Sequence, residues 1–110
     1  MTVTPFPPLS GATTTYRFSE ALEYRVSCFT ERSSFVLYET GGCYLQYDDF
    51  PNRLRGRYER DGAQFTFYFT ERSYPPDAIG TLKGDLLEIR YSDIMQHSDF
   101  ENAAYRRVDE

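Results

Sequence analysis

Residues 53–70 read RLRGRYERDGAQFTFYFT, and this stretch decides the fold. Asp61-Gly62 near its middle suits the type I′ turn of a β-hairpin, whose two central residues need positive φ. Apolar and polar side chains alternate on both sides of that turn, as they do in strands that bury one face. The stretch therefore predicts an antiparallel hairpin of two strands, near 53–59 and 64–70.

Closing the chain at Asp61-Gly62 sets a register, and the register assigns each side chain of the hairpin to one of two faces. The apolar face holds the pairs Tyr58–Phe65, Gly56–Phe67 and Leu54–Phe69. The polar face holds Arg53, Arg55, Arg57 and Glu59 beside Gln64, Thr66, Tyr68 and Thr70. We expect the apolar face to point inward, with the Phe67 ring covering the bare backbone of Gly56.

A second hairpin, residues 78–91, reads AIGTLKGDLLEIRY and shows the same alternation. Gly84-Asp85 fits a type II′ turn, which has glycine at its first central position. That turn predicts the pairs Leu82–Leu87, Gly80–Ile89 and Ala78–Tyr91 on the apolar face. A third turn, Thr40-Gly41-Gly42, is expected to be three residues long and to place Leu45 opposite Leu37.

Strand patterns rich in Tyr, Phe, Thr, Val and Ile recur along the chain, separated by Gly, Asp, Asn and Pro. They predict strands near 13–18, 22–29, 34–39, 43–48, 53–59, 64–70, 78–83, 86–91 and 103–108. An open sheet would leave its apolar face wet and its edges unpaired, so we expect the sheet to curl and close. The predicted fold is all-β, an antiparallel up-and-down meander of eight or nine strands closed into a small barrel. Residues 12–110 would form this single domain, after an extended Pro-rich leader at 1–11.

Charge and hydropathy exclude several classes of partner. The chain has 110 residues, a net charge of −5 and 17% aromatic side chains. The acidic balance argues against general electrostatic binding of nucleic acid or anionic membranes, because both require excess positive charge. No apolar run approaches the roughly 18 to 20 residues of a membrane-spanning helix. The first residues lack the basic and apolar regions of a secretion signal, so we expect a cytoplasmic protein.

The meander from Thr13 to Val108 ends in the run Gly80–Tyr91, followed by Asp99-Phe100 and Ala104-Tyr105-Arg106. In these features the chain resembles the calycin-type barrels, namely the lipocalins, fatty-acid-binding proteins and avidins. It is most similar to small bacterial lipocalin-like domains of unassigned function. The resemblance implies an interior cavity but names no ligand. Because the chain has no Trp, the Trp-based signature of lipocalins and the Trp-lined site of avidins have no counterpart here.

Aromatic side chains dominate the predicted inner face: Tyr24, Phe35, Tyr58, Phe65, Phe67, Phe69 and Tyr91. They either fill a narrow eight-stranded barrel or line a pocket whose rings grip a flat apolar ligand while hydroxyls orient it. The first function that we expect is non-catalytic binding of a small apolar or aromatic molecule in the barrel interior. The ligand-binding residues would be Tyr24, Tyr58, Phe67 and Tyr91. Segment 92–102, with a helical turn at 93–96 capped by Ser92, would act as a lid.

Arginines form a row on the predicted outer face, at Arg53, Arg55 and Arg57, with Tyr68 across the hairpin. We expect this row to be a solvated face balanced by Glu59 and other acidic residues. The same residues suit an external anion or a protein partner, since Arg and Tyr are both favoured at interfaces. The alternative function is therefore a protein-interaction or homodimerising module that uses this row and Tyr68, with a filled core and no ligand.

Residues with catalytic or metal-binding chemistry are few. His97 is the only histidine, which excludes a multi-histidine metal site, and its loop neighbours do not make a catalytic triad. Cys28 and Cys43 are expected two strands apart, farther than the about 7 Å that a disulfide allows, so we expect free thiols. We expect no enzyme activity, no catalytic residue, no metal and no cofactor.

Overall fold

The computed structural model of the chain describes residues 6–22, 32–47, 53–69, 76–97 and 100–108. Within these ranges the chain forms eight strands and one short helix. They are β1 (Thr13–Ala21), β2 (Ser34–Tyr38), β3 (Gly42–Gln46), β4 (Arg53–Asp61), β5 (Gln64–Tyr68), β6 (Ala78–Lys83), β7 (Leu86–Tyr91), α1 (Asp93–His97) and β8 (Ala103–Val108).

Each strand pairs antiparallel with the next along the chain, and β8 pairs with β1. The described strands therefore form a closed up-and-down barrel, which confirms the predicted all-β meander and is consistent with a calycin-like architecture. The predicted strand near 22–29 falls almost entirely on residues 23–29, outside the described part of the chain. No helix among the described residues is long and apolar enough to cross a membrane.

The turn between β4 and β5 lies one residue later than predicted. Asp61 stays in its strand and pairs with Gln64, while Gly62 adopts the positive φ of 62° that the turn requires. Phe67 consequently lies opposite Tyr58, and the predicted register (Tyr58–Phe65, Gly56–Phe67, Leu54–Phe69) is wrong. The pairing moves by two residues, an even number, so every side chain keeps its predicted face.

Gly56 on β4 packs against backbone and an aromatic ring. A Cβ added there would overlap the Tyr68 carbonyl oxygen and would lie 2.8 Å from Cδ1 of Phe69. The ring that covers this glycine is therefore that of Phe69, and the prediction of Phe67 is corrected. The reason is the later turn, which moves β5 along β4.

Of the other two tight turns, one has the predicted register and one does not. The β6–β7 hairpin has the predicted register in full, including Gly80 opposite Ile89. Between β2 and β3 the turn is three residues long, as predicted, but it spans residues 39–41 and takes its positive φ of 94° at Gly41. Leu45 therefore lies opposite Phe35, and the predicted pairing with Leu37 is wrong.

Phe35 of β2 lies at the centre of the core and is fully buried. Its ring centroid is 4.9 Å from those of Phe67 and Tyr105, and 6.3 Å from that of Tyr91. These three rings come from β5, β8 and β7, none of which is a sheet neighbour of β2. The rings meet across the barrel, so the interior is filled at this level.

The two ends of the barrel differ in their connections. One, the short-turn end, carries the turns at 39–41, 62–63 and 84–85. At the other, which we call the long-loop end, the chain leaves and re-enters the barrel for the longer connections, namely those from β1 to β2, β3 to β4, β5 to β6 and β7 to β8. Binding residues are often carried by the connections at one end of a rigid barrel, so the long-loop end is the candidate location of a site.

Candidate functional site

Three of the four residues predicted to bind a ligand are described, and they lie at different levels of the barrel. Tyr24 lies outside the described residues. Tyr58 lies towards the short-turn end, where its hydroxyl donates a hydrogen bond to the Tyr38 carbonyl oxygen at 2.7 Å. Phe67 is fully buried in the middle of the barrel, and Tyr91 ends β7 at the long-loop end. The three described residues thus line the interior from one end to the other.

A chain of three buried hydroxyls lies at the long-loop end, and we call Ser33, Tyr91 and Tyr105 the hydroxyl cluster. The Tyr105 hydroxyl is 2.7 Å from that of Tyr91 and 2.5 Å from Oγ of Ser33. Tyr105 is therefore the central member and joins β8 to β7 and to the residue just before β2. Such hydroxyls act both as donors and as acceptors, so the cluster offers hydrogen bonds in an otherwise aromatic interior.

Burial strengthens the preference of the two phenols for the neutral form. Desolvation raises the pKa of Tyr105 to about 12 and raises the pKa of Tyr91 well above its ordinary value. Removing a phenolate from water costs more than removing a phenol, which is why burial favours the neutral form. Both groups consequently stay protonated at neutral pH, where they can form hydrogen bonds without carrying charge.

Residues 92–97 and 100–102 lie over the Tyr91 end of the hydroxyl cluster, and we call them the cover. Ser92 begins α1, since its Oγ accepts a hydrogen bond from the Met95 amide and its carbonyl accepts one from the Gln96 amide, at 3.4 and 2.9 Å. This confirms the predicted capped helical turn, which extends one residue further, to His97. The side chain of His97 is outside the described atoms, so its predicted lack of a catalytic role stays a prediction.

Two apolar side chains of the cover enter the core. Met95 and Phe100 are 7% and 5% exposed, and the Phe100 ring centroid lies 5.5 Å from that of Tyr91. Phe100 also meets Tyr47, edge to face, at 5.5 Å. Behind them, the side-chain oxygen of Asn102 accepts a hydrogen bond from the Tyr91 amide at 2.9 Å. The cover therefore shields the Tyr91 end of the hydroxyl cluster from water.

The arginine row lies on the outer face of β4, as predicted, but one member is not solvated. Arg53 and Arg55 are exposed, and the Arg53 guanidinium lies 4.8 Å from the ring centroid of Tyr44. Arg57 is buried, with only 9% of its side chain exposed, and its guanidinium lies 4.0 Å from the Tyr68 ring centroid. The expectation of a fully solvated row is wrong at Arg57, because neighbouring groups cover it.

Cys43 is a free thiol with no exposed surface, and burial raises its pKa from 9.0 to about 12. A thiol protonated to this degree is a poor nucleophile, since the thiolate is the reactive form. Cys28 lies outside the described residues. Among the described residues, no three His, Cys, Asp or Glu side chains are grouped as a metal site would require.

Sequence reasoning identified Tyr91 but missed Ser33 and Tyr105. Tyr105 carried one usable signal, because it falls in the predicted last strand. Ser33 carried none, since it lies 72 positions from its partner in the chain. Comparisons with family models, with curated proteins and with solved structures each found no match.

Proposed function

We propose that the protein binds, without catalysis, a small and largely apolar or aromatic molecule at the long-loop end of its barrel. The observation that supports this proposal is the hydroxyl cluster in an aromatic interior. The rings would contact the body of the ligand, and a hydroxyl of Tyr91 or Tyr105 would bond to a single polar atom on it. A cytoplasmic location in a bacterium, expected from the sequence, belongs to the same proposal.

A barrel that needs only a packed core gains no stability from these hydroxyls. Phe in place of Tyr91 and Tyr105 would fill nearly the same volume without removing two phenolic groups from water. Burying such groups costs free energy that hydrogen bonds must offset, and replacing both partners of such a bond by apolar groups of the same shape can be neutral or stabilising. Three hydroxyls in a row keep hydrogen-bonding capacity that a ligand can use.

The filled interior limits where a ligand can enter the barrel. Because Phe35 and its ring contacts fill the middle of the barrel, a ligand would enter at the long-loop end by displacing the cover. The cover contains a helix of only five residues, 93–97, and so short a helix has little stability of its own. Moving Met95 and Phe100 outward would open a space above Tyr91.

The protonation states favour binding over proton transfer. With pKa values above the ordinary phenol range, Tyr91 and Tyr105 would remain neutral donors to an uncharged ligand. A general base would instead need a pKa near the working pH. Neutral phenols also avoid placing a charge beside the aromatic body of the ligand.

The test compares two probes of nearly equal shape, 2-naphthol and naphthalene, by displacement of the dye ANS. We expect the hydroxyl of 2-naphthol to improve its affinity by about two- to tenfold, the range of one net hydrogen bond. In Tyr105→Phe this advantage should disappear. Tyr58→Phe, the same change near the other end of the barrel, serves as the matched control and should keep it.

Native mass spectrometry of freshly purified protein would complete the experiment by revealing any molecule that copurifies. If neither probe binds and no copurified species is found, the proposal fails. That result would favour the alternative, an interaction or homodimerising module with a filled core, which the packing around Phe35 also suits. Sedimentation at several concentrations tests the homodimerising form of this alternative, because binding a ligand in the barrel requires no self-association.

A further inference from the structure

Residues 6–12, which we call the strap, lie against the outside of the barrel. Its carbonyl oxygens accept three hydrogen bonds from the barrel. The carbonyl oxygen of Pro7 accepts a hydrogen bond from Nη2 of Arg55 at 3.0 Å. The carbonyl oxygen of Pro8 accepts one from Oγ1 of Thr40 at 2.5 Å. The third hydrogen bond runs from the Glu39 amide to the carbonyl oxygen of Ala12, at 3.0 Å. The strap is thus held to β4 and to the β2–β3 turn.

Gly42 allows this close approach. A Cβ added to Gly42 would lie 2.9 Å from the carbonyl oxygens of both Pro7 and Pro8, and 3.2 Å from Cδ2 of Leu9. A side chain at this position would push the strap away from the sheet, because carbonyl oxygens of the backbone cannot move aside alone. Gly42 is the pairing partner of Arg57, so the strap passes beside Arg57.

Arg57 is enclosed but incompletely bonded. The Tyr68 ring covers one side of its guanidinium, and Nη1 lies 3.4 Å from a carboxylate oxygen of Glu59. Its Nε is buried and has no hydrogen-bond partner. A buried guanidinium N–H without an acceptor is unfavourable, and structures rarely keep one without a reason.

We propose that Arg57 is the centre of an oxyanion-binding site that the strap closes. Nε and Nη2 form the edge of the guanidinium that binds both oxygens of a carboxylate or a phosphate. Glu59 occupies Nη1 and leaves this edge for a ligand. Lifting the strap from Gly42 would uncover the edge and would also release Arg55 from Pro7, which supplies a second cation.

The surroundings fit an anion. Arg53, Arg55 and Arg57 project from the same face of one strand at alternate positions, and Glu59 follows them in the row. The Tyr68 ring holds the Arg57 guanidinium in one plane, which prepares it for two-point binding. The strap then decreases the apparent affinity, since only the fraction of molecules with the strap lifted can bind.

The experiment follows the Arg57 Nε–H signal by NMR in the full chain, during separate titrations with inorganic phosphate and with acetate. Potassium chloride at equal ionic strength serves as the blank for general salt effects. We expect saturable shifts with at least one of the two anions, and the stronger titration identifies the ligand as phosphate-like or carboxylate-like. Gly42→Ala and Thr40→Ala, which loosen the strap, should each tighten binding by about two- to tenfold.

Arg90→Lys is the matched control, because Arg90 is an exposed arginine on a different strand, β7, and this variant should leave the affinity within twofold. Arg57→Lys keeps the positive charge but removes the pair of donors, Nε and Nη2, that would bind both oxygens of the anion. Anion binding, measured by calorimetry, should therefore be lost in this variant. Absence of saturable shifts in Gly42→Ala would overturn the proposal even if Arg57→Lys failed to fold. Equal affinities in Gly42→Ala and the parent would overturn closure by the strap. The site is outside the barrel, so these results are independent of binding at the hydroxyl cluster.

Discussion

At Tyr105 and Cys43, burial in the barrel moves the pKa away from the ordinary value of that residue type. Both are fully buried, and burial raises the pKa of each to about 12. In the unfolded chain the same groups are hydrated and ionise at their ordinary values, 10.0 for the phenol and 9.0 for the thiol. The folded state therefore holds these protons more tightly than the unfolded state does.

The consequence is a loss of stability at alkaline pH. Below pH 9 both states are protonated at these groups, so their contribution is complete. Above pH 9 the unfolded thiol ionises first, and the free energy of unfolding should fall by up to about 1.4 kcal/mol per pH unit for each ionised group. The fall from each group should end near pH 12, where the folded groups ionise as well.

Cys43→Ala removes this thiol and so shows how much of the decline in stability with pH comes from it. Urea unfolding at half-unit steps from pH 8 to pH 10.5 should show a shallower decline in this variant than in the parent, each referenced to its own value at pH 8. Identical declines between pH 9 and pH 10 would mean that the thiol is not buried as described.

At the level of the elements, two glycines of the hairpins are needed for different physical reasons. Gly84 adopts a φ of 64° in the β6–β7 turn, and a Cβ there would meet open space. Gly56 lies within β4, and a Cβ there would collide with the β5 backbone. The first glycine is required for its conformation and the second for the absence of a side chain.

Substitution by Ala should therefore have unequal effects. Gly84→Ala should cost about 1 to 2 kcal/mol, the penalty of a left-handed backbone. Gly56→Ala should cost about 3 kcal/mol or more, because two paired strands must separate. Chemical unfolding measures both, with Gly62→Ala as a second turn substitution that should match Gly84→Ala. A Gly56→Ala variant as stable as Gly84→Ala would contradict the described packing.

The whole molecule depends on closure of β1 against β8 and on one central ring. Phe35 contacts rings from three strands that are not its sheet neighbours, so it couples opposite walls of the barrel. Removing it would leave a cavity enclosed by Phe67, Tyr91 and Tyr105. The side chains around such an empty cavity lose the van der Waals contacts that they made with the ring.

Phe35→Ala should lower the free energy of unfolding by about 3 to 5 kcal/mol, the usual range for an enclosed Phe. If the variant folds, its cavity should also bind a small apolar probe such as benzene, which NMR would detect. Phe18→Ala, at a partly buried ring, is the control and should cost less. An effect below about 1 kcal/mol for Phe35→Ala would show that the interior is not filled at this level.

Of the candidate site, the sequence predicted Tyr91, its inward face and the capped turn of the cover. It did not predict that Tyr105 and Ser33 meet there, or that Arg57 would be covered. Alternation within a strand is local, so it identifies which side chains point inward. Contacts between inward side chains of distant strands depend on how the barrel closes, and no local pattern contains that information.

The sequence by itself determined the all-β meander and the inner and outer faces, because a period of two and glycine turns act over a few neighbouring residues. The registers that it predicted for β4–β5 and β2–β3 were wrong, since a shift of two residues preserves every face and alternation cannot detect it. Only the tertiary structure decided those registers, the hydroxyl cluster and the position of the strap. Each depends on packing between parts of the chain that are far apart in sequence.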